Sequence, residues 1–169
     1  MSPLSHQTRG GDAHFDLRMV THPRSTVNIN INSLRKVVGV DQWYAGQTLT
    51  IWLRPGCLDS WDAAEAGVPG NQRACLEQFR ARLKRLADHG KLRNPDYMNA
   101  EGDGISAVKA TCGLRAYGWL CHVDGRRAFV VSHVVLKREN RADPRDIARA
   151  AADRVAFEAE QERKKQARR

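Results

Sequence analysis

The sequence predicts an α+β protein in which a small, mainly antiparallel sheet carries an N-terminal pair of helices and a C-terminal helix. Two helical segments lie between one strand and a run of three strands, an Asp-Gly turn joins the last two strands, and a capped helix follows them. Because the helices precede a run of strands instead of alternating with them, we expect a meander with helices on one side of the sheet. The first core strand should join this sheet through a long crossover.

The N-terminal part of the chain predicts one extra strand and the first core strand. Residues 26–32 alternate between apolar and polar side chains, which predicts a half-buried strand within an N-terminal extension of residues 26–47. Residues 1–25 are polar, and we expect them to be flexible. Residues 34–40 fit no single element. A β-prone run over residues 48–54, ended by a Pro-Gly pair, predicts the first core strand.

Two helices are predicted in the next stretch. Residues 58–66 form a short helical pattern with Asp59 as a possible N-cap, and a longer helix should begin at Asn71 and end at His89, before a C′ glycine. Residues 91–104 are predicted to be a loop, followed by a strand within 105–112. The apolar stripe of the longer helix consists of Cys75, Leu76, Phe79, Leu83 and Leu86, and its exposed face carries Arg73, Arg80, Arg82, Lys84 and Arg85.

The last third of the chain predicts a hairpin and a helix. Asp124 and Gly125 separate two β-prone runs, which indicates a type I′ turn, and the second run is apolar until Lys137. A strand of this kind is covered on both faces, so its cationic end should lie at a rim. Asp143 and Pro144 suit the N-cap and first position of a helix. The charged residues after position 158 should fray.

Composition restricts the classes of function. The net charge is +9, and from residue 113 onward 14 Lys and Arg face 8 Asp and Glu. This surplus favours a polyanionic partner such as RNA, DNA or an acidic protein, although a solvated basic surface explains it equally well. No apolar run approaches the roughly 20 residues that a bilayer requires. The first residues lack the apolar core of a signal peptide, so we expect a cytoplasmic protein.

The four cysteines predict neither a metal site nor a cofactor. They lack any C-x-x-C spacing, and buried cysteine commonly acts as a small hydrophobe. For a cytosolic chain we expect reduced structural thiols instead of disulfides.

Three motifs carry a resemblance to a known family. They are the Asp-Gly hairpin, the run in which His133 is followed by Lys137 and Arg138, and the Ala-rich helix that Pro144 begins. In this combination they resemble the RelE/ParE toxin superfamily, most closely its HigB-like, phage-associated branch. The family's aromatic residue two positions after the His is Val135 here. The likeness covers residues 48–158, a RelE-like domain, and leaves residues 159–169 as a basic tail.

The resemblance implies the toxin of a type II toxin–antitoxin system. Such toxins are mRNA endoribonucleases (mRNA interferases) that act in the ribosome and are neutralised by a cognate antitoxin, without a cofactor. The implied partners are therefore messenger RNA, the ribosome and the antitoxin. Carried over by position, the catalytic residues are Lys109, Arg115, His133 and Lys137. The implied RNA-binding residues are Arg138, Arg80, Arg82, Lys84, Arg85 and Arg126.

The chemistry of RNA cleavage fits these residue types. Attack by a ribose 2′-hydroxyl on the adjacent phosphate needs a base, an acid and cations that stabilise the phosphorane. The imidazole of His133 titrates in the useful range, whereas Lys109 and Arg115 suit charge stabilisation. A buried structural role remains open for His133, as does a plain solvated face for the helix around Arg82.

Two other classes of function remain open. A RelE/ParE-fold protein can inhibit a protein target such as DNA gyrase without catalysis, and the lack of a tyrosine or second acid–base group after Tyr117 favours this reading. A phage-derived binding protein, with the extra strand at residues 26–32 as its partner or assembly contact, is the third possibility.

Overall fold

A mixed sheet forms the centre of the computed structural model, which describes residues 36–37, 39–137 and 143–169. These residues belong to one compact unit. The strands are β1 (Lys36–Val37), β2 (Val40–Ala45), β3 (Thr50–Leu53), β4 (Met98–Gly102), β5 (Ile105–Lys109), β6 (Leu114–Val123) and β7 (Arg126–Leu136). The α-helices are α1 (Cys57–Ala66), α2 (Ala74–His89) and α3 (Pro144–Gln166), and a 3₁₀ turn occupies Gly70–Gln72.

The strand order confirms an α+β fold with a mainly antiparallel sheet. The order is β1-β2-β3-β7-β6-β5-β4. Strands β3 and β7 are parallel neighbours, with Thr50 opposite Ala128, and every other pair is antiparallel. The chain between β3 and β7 contains α1, α2 and β4 to β6, so the first core strand does join the sheet through a long crossover.

The predictions for the Asp-Gly hairpin turn and for the N-cap of α3 are confirmed. Asp124 and Gly125 adopt φ values of 49° and 79°, the positive φ at both central positions that a type I′ turn requires. The Asp143 side chain accepts a hydrogen bond from the Arg145 backbone N–H at 2.9 Å, and Pro144 is the first residue of α3. The N-cap prediction for Asp59 is wrong. That residue lies in the first turn of α1, which Gly56 precedes as N-cap.

Helices cover both faces of the sheet, so the prediction that they lie on one side is wrong. Helices α1 and α2 share a core with one face, and α3 shares a second core with the other. The alternation of β7 explains the difference, because Phe129 belongs to the first core and Val130 to the second. A strand that is apolar on both faces requires cover on both. The face that packs against α3 is called the α3 face, and the opposite one is called the α1/α2 face.

Other segments also differ from expectation. The predicted loop of residues 91–104 contains the edge strand β4, and β2 forms in a stretch for which no strand was predicted. The residues expected to fray are helical as far as Gln166, because Glu160 and Lys164 make ion pairs with Arg54 and Asp124. The predicted flexible segment and extra strand, residues 1–25 and 26–32, lie outside the described residues.

The structure also corrects the prediction for the cysteines. Cys75 and Cys112 form a disulfide between the first turn of α2 and the turn that joins β5 to β6. Their 37-residue separation conceals this pairing in the sequence. Cys57 and Cys121 are free thiols whose burial raises their pKa to about 12 and about 11. No helix in the described ranges is long and apolar enough to cross a bilayer.

Candidate functional site

A β-bulge in β7 determines which side chains meet at the candidate site. Tyr117 pairs with His133 and Gly118 with Val131, so Ser132 is an extra residue without a partner on β6. A bulge of this kind redirects the side chains around it. Ser132 and its neighbour His133 consequently both make contacts with α3, to Asp153 and Asp146 respectively.

The four predicted catalytic residues lie on one face of the sheet at one end of the meander. Lys109 is directly opposite Arg115 in the pairing of β5 with β6. Arg115 and Tyr117 are two residues apart on β6 and therefore share a face. The Tyr117 ring stacks on His133 with centroids 5.3 Å apart, and Lys137 follows the end of β7 on the same side. This common face is the α3 face.

His133 is fully buried and is held in one tautomer. Its Nδ1 lies 2.9 Å from Ser132 Oγ, and the Ser132 hydroxyl donates its only proton to Asp153 Oδ2. The imidazole must then donate from Nδ1 to Ser132 Oγ, which leaves a lone pair on Nε2 in the neutral ring. Nε2 makes no hydrogen bond within the described ranges and lies 3.6 Å from Asp146 Oδ1.

Burial separates the protonation states of His133 and Tyr117. Desolvation, helped by the nearby Arg149 charge, lowers the pKa of His133 against the opposing pull of Asp146. Desolvation raises the pKa of Tyr117, although Arg115 opposes the shift. At neutral pH the imidazole is a base and the phenol is a proton donor. Two stacked groups with opposite shifts are a typical arrangement for an acid–base pair.

Lys137 is paired with the start of α3. Its Nζ lies 2.6 Å from Asp146 Oδ2 and 3.6 Å from Oδ2 of the N-cap residue Asp143. Partial burial alone would lower the pKa of Lys137, but the hydrogen bond and the charge of Asp146 outweigh it, so the pKa is raised. His133 and Lys137 thus face the same carboxylate instead of pointing apart.

The first two turns of α3 close this site. Asp146 contacts both His133 and Lys137, and Ile147, Ala150 and Ala151 pack into the core on the α3 face. No part of the His133 side chain reaches solvent. RNA therefore cannot reach the imidazole in this state.

The predicted RNA-binding residues on α2 do not join the site. Helix α2 packs on the α1/α2 face. There Arg80 forms ion pairs with Glu65 and Glu77. Arg82 donates to the Lys109 carbonyl at 2.5 Å, and its guanidinium lies over the Tyr97 ring. Because both guanidiniums bind within the protein, the prediction that they lie on an exposed face is wrong, and RNA binding by them stays a prediction. The other predicted RNA-binding residues that the structure describes lie apart from the site. Lys84 Nζ is 5.6 Å from the centre of the Tyr44 ring, and Arg85 is exposed. Arg126 is exposed at the far end of β7, and Arg138 lies outside the described residues.

Several residues of the site were missed by the sequence prediction. The sequence prediction gave Tyr117 no role in the site, although its spacing from Arg115 places both on one face. Ser132 beside His133, two polar residues within an apolar strand, was an available signal for the bulge. Asp146 and Asp153 lie seven residues apart on α3 and therefore share a helix face, which could have identified them as partners of the sheet.

The arrangement suits proton transfer next to cations. It does not offer a set of ligands for a metal ion among the described side chains. Among the side chains that the structure describes, no group of three His, Cys, Asp or Glu could hold a metal ion. Comparison of the sequence with protein-family models and with curated proteins finds no match. A function for this protein must therefore be inferred from the geometry of the site and from its sequence motifs.

Proposed function

We propose that this protein is the toxin component of a type II toxin–antitoxin system and acts as a RelE-like, ribosome-dependent mRNA endoribonuclease. The observation that carries the proposal is the collection of Lys109, Arg115, His133 and Lys137 on the α3 face at one end of the sheet. The crossover from β3 through two helices into the meander agrees with the fold that the resemblance implies. The proposed partners are messenger RNA, the ribosome and an antitoxin.

The proposed mechanism assigns the base and the acid to the stacked pair. His133 Nε2 takes the proton of the 2′-hydroxyl while the 2′-oxygen attacks phosphorus. Tyr117 donates its proton to the leaving 5′-oxygen as the P–O5′ bond breaks, which gives a 2′,3′-cyclic phosphate and a 5′-hydroxyl. Lys137 and Arg115 stabilise the charge that develops on the phosphorane. Tyr117 would thereby supply the second acid–base group that the later sequence lacks.

The proposal is tested by inducible expression with mapping of mRNA 5′ ends. The wild type should arrest growth and cleave messages, and the His133→Ala, Lys137→Ala double variant should do neither. The control is the Lys91→Ala, Arg93→Ala double variant, which removes two exposed cations from the segment after α2 and should remain toxic. Undiminished cleavage by the His133 and Lys137 variant would exclude both residues from the mechanism.

Tyr117→Phe separates catalysis from folding. The buried Tyr117 hydroxyl lies beside the Arg115 guanidinium, and its removal should change the free energy of unfolding by only about 0.5–1.5 kcal/mol. Loss of the general acid should lower the cleavage rate by about 10²- to 10⁴-fold. A variant with unchanged cleavage would leave Tyr117 as a packing residue only. Urea denaturation and a cleavage assay on programmed ribosomes measure the two effects.

A second candidate function is non-catalytic inhibition of a protein target such as DNA gyrase. The observation that favours it is the complete burial of His133 and Tyr117 beneath α3, with Lys137 already paired to Asp146. Gyrase captured by the full chain, together with loss of supercoiling activity and intact messages, would support this function. Cleaved messages without any effect on gyrase would exclude it.

A further inference from the structure

The Asp146 carboxylate occupies the cationic end of the candidate site, but it does not provide a hydrogen-bond partner for every polar group there. One carboxylate oxygen is 2.6 Å from Lys137 Nζ, and the other is 3.6 Å from His133 Nε2, too far for a hydrogen bond. The Tyr117 hydroxyl lies close enough to Arg115, Lys137 and Asp146 for all three charges to act on its pKa. His133 Nε2 and Tyr117 Oη are buried and have no hydrogen-bond partner in the part of the chain that the structure describes.

Unsatisfied buried polar groups are uncommon and costly, so two of them near Lys137 require an explanation. Tyr117 is a donor, and His133 becomes a donor at Nε2 when an anion stabilises its protonated form. Together with Lys137, His133 and Tyr117 form a set of three donors around the Asp146 carboxylate. The two oxygens of this carboxylate do not accept from all three donors. A tetrahedral phosphate has enough oxygens to accept from all three groups.

We propose that Lys137, His133 and Tyr117 form a binding site for a phosphate group, and that Asp146 is a built-in competitor which occupies this site when phosphate is absent. The inference deepens the proposed function and rests on it for the source of the phosphate, an RNA backbone. It makes the start of α3 an autoinhibitory contact of the same site.

The attachment of α3 supports release of its first turns alone. The later part of the helix is held by the ion pair of Glu160 with Arg54 and by the buried Phe157 ring. In the first turn, the polar contacts to the sheet are those of Asp143 and Asp146 with Lys137 and His133. A phosphate that replaces these carboxylates would therefore displace the start of the helix while the later turns remain attached.

The test is titration calorimetry of the full chain with inorganic phosphate at neutral pH. Removing the competitor charge in Asp146→Asn should tighten phosphate binding by about 10-fold or more, because the open site is then populated more often. The control is Glu158→Gln, which makes the same change of charge on the same helix at an exposed ion pair with Arg154. The control should bind phosphate as the wild type does.

Two further variants keep the test decisive. Asp146→Asn combined with Lys137→Ala should lose the added affinity, and Asp146→Ser should reproduce the gain if the Asn variant does not fold by circular dichroism. The proposal is overturned if neither Asp146 variant binds phosphate more tightly than Glu158→Gln. It is also overturned if the added affinity persists without Lys137.

Cleavage assays on the same variants distinguish this inference from the proposed function. Tighter phosphate binding in Asp146→Asn without RNA cleavage by any form of the protein would retain the phosphate site and reject the nuclease. Cleavage by the wild type with no effect of Asp146→Asn on phosphate binding would retain the nuclease and reject the built-in competitor.

Discussion

His133 links the protonation of one buried ring to the stability of the whole protein. Because burial lowers its pKa, the folded state binds this proton less readily than the unfolded state does. Above the unfolded pKa of about 6.5 the ring is neutral in both states and its contribution to stability is fully present. As the pH falls from there toward the lower folded pKa, the unfolded chain takes up the proton first, and stability is lost.

We predict that the free energy of unfolding decreases between pH 6.5 and pH 5, with a slope from His133 of at most about 1.4 kcal/mol per pH unit. Urea denaturation at several pH values measures the slope. His133→Gln should flatten the curve, whereas the exposed control His122→Gln should leave it unchanged. An identical slope in His133→Gln would show that other groups cause the acid sensitivity.

The sequence could predict that some candidate residues share a face of the sheet, but not the contacts that they make. Strand alternation is enough to place Arg115 and Tyr117 on one face, because side chains repeat every two residues. The bulge at Ser132 breaks this repeat and could not be located from alternation. The pairing of Asp146 with Lys137 depends on how α3 docks on the sheet, which local patterns do not specify.

The turn between β5 and β6 is tightly constrained by its backbone neighbours. Gly113 has φ of 94°, and a Cβ at this position would lie 2.0 Å from the backbone oxygen of Lys137. Gly125 in the hairpin also has positive φ, 79°, but a Cβ there meets no atom within 4 Å. A comparison of substitutions at these two glycines therefore separates the energetic cost of positive φ from the energetic cost of a steric clash.

We predict that Gly125→Ala lowers the free energy of unfolding by about 1–2 kcal/mol, the cost of positive φ for a residue with a side chain. Gly113→Ala should cost about 1–3 kcal/mol more, because the added methyl must displace backbone beside Lys137. Denaturant unfolding of both variants measures the difference. Equal costs would show that the turn at Gly113 relaxes without strain.

At the level of elements, long periodic segments were predictable and short polar ones were not. Helix α2 buries the stripe from Cys75 to Leu86 as its spacing predicts, and β6 and β7 are the β-prone runs beside the Asp-Gly turn. The β4 segment is polar and lies at the sheet edge, where one neighbour supplies all the pairing. Its sequence therefore resembles that of a loop.

Across the whole molecule, an ion pair joins the later part of α3 to Arg54, the residue that follows β3. Arg54 is only 8% exposed, and it donates to Glu160 at 2.7 Å and to the Gly39 carbonyl at 2.6 Å. Glu160 is 25% exposed. Loss of this carboxylate would leave the Arg54 charge buried with a neutral acceptor only.

We predict that Glu160→Gln lowers the free energy of unfolding by about 1–3 kcal/mol, somewhat less than a fully buried pair because solvent reaches Glu160. The exposed pair of Glu158 with Arg154 provides the control, and Glu158→Gln should cost less than about 0.5 kcal/mol. Chemical denaturation measures both values. A similar small change in both variants would mean that α3 is attached by apolar packing alone.

The general architecture could be predicted, whereas the arrangement of layers required coordinates. Helices before a meander correctly indicated an α+β fold with a long crossover. The second apolar face and the Cys75–Cys112 disulfide arise from contacts between distant segments, which no local window of sequence contains.

The parallel neighbours β3 and β7 also determine when this chain can mature during synthesis. β3 is translated early, but one of its two neighbours in the sheet is the last strand to be made. Contacts between such distant segments form late and slowly. One side of β3 therefore remains unpaired until β7 has been translated. For a protein proposed to cleave messages on the ribosome, this order postpones activity until that late strand exists.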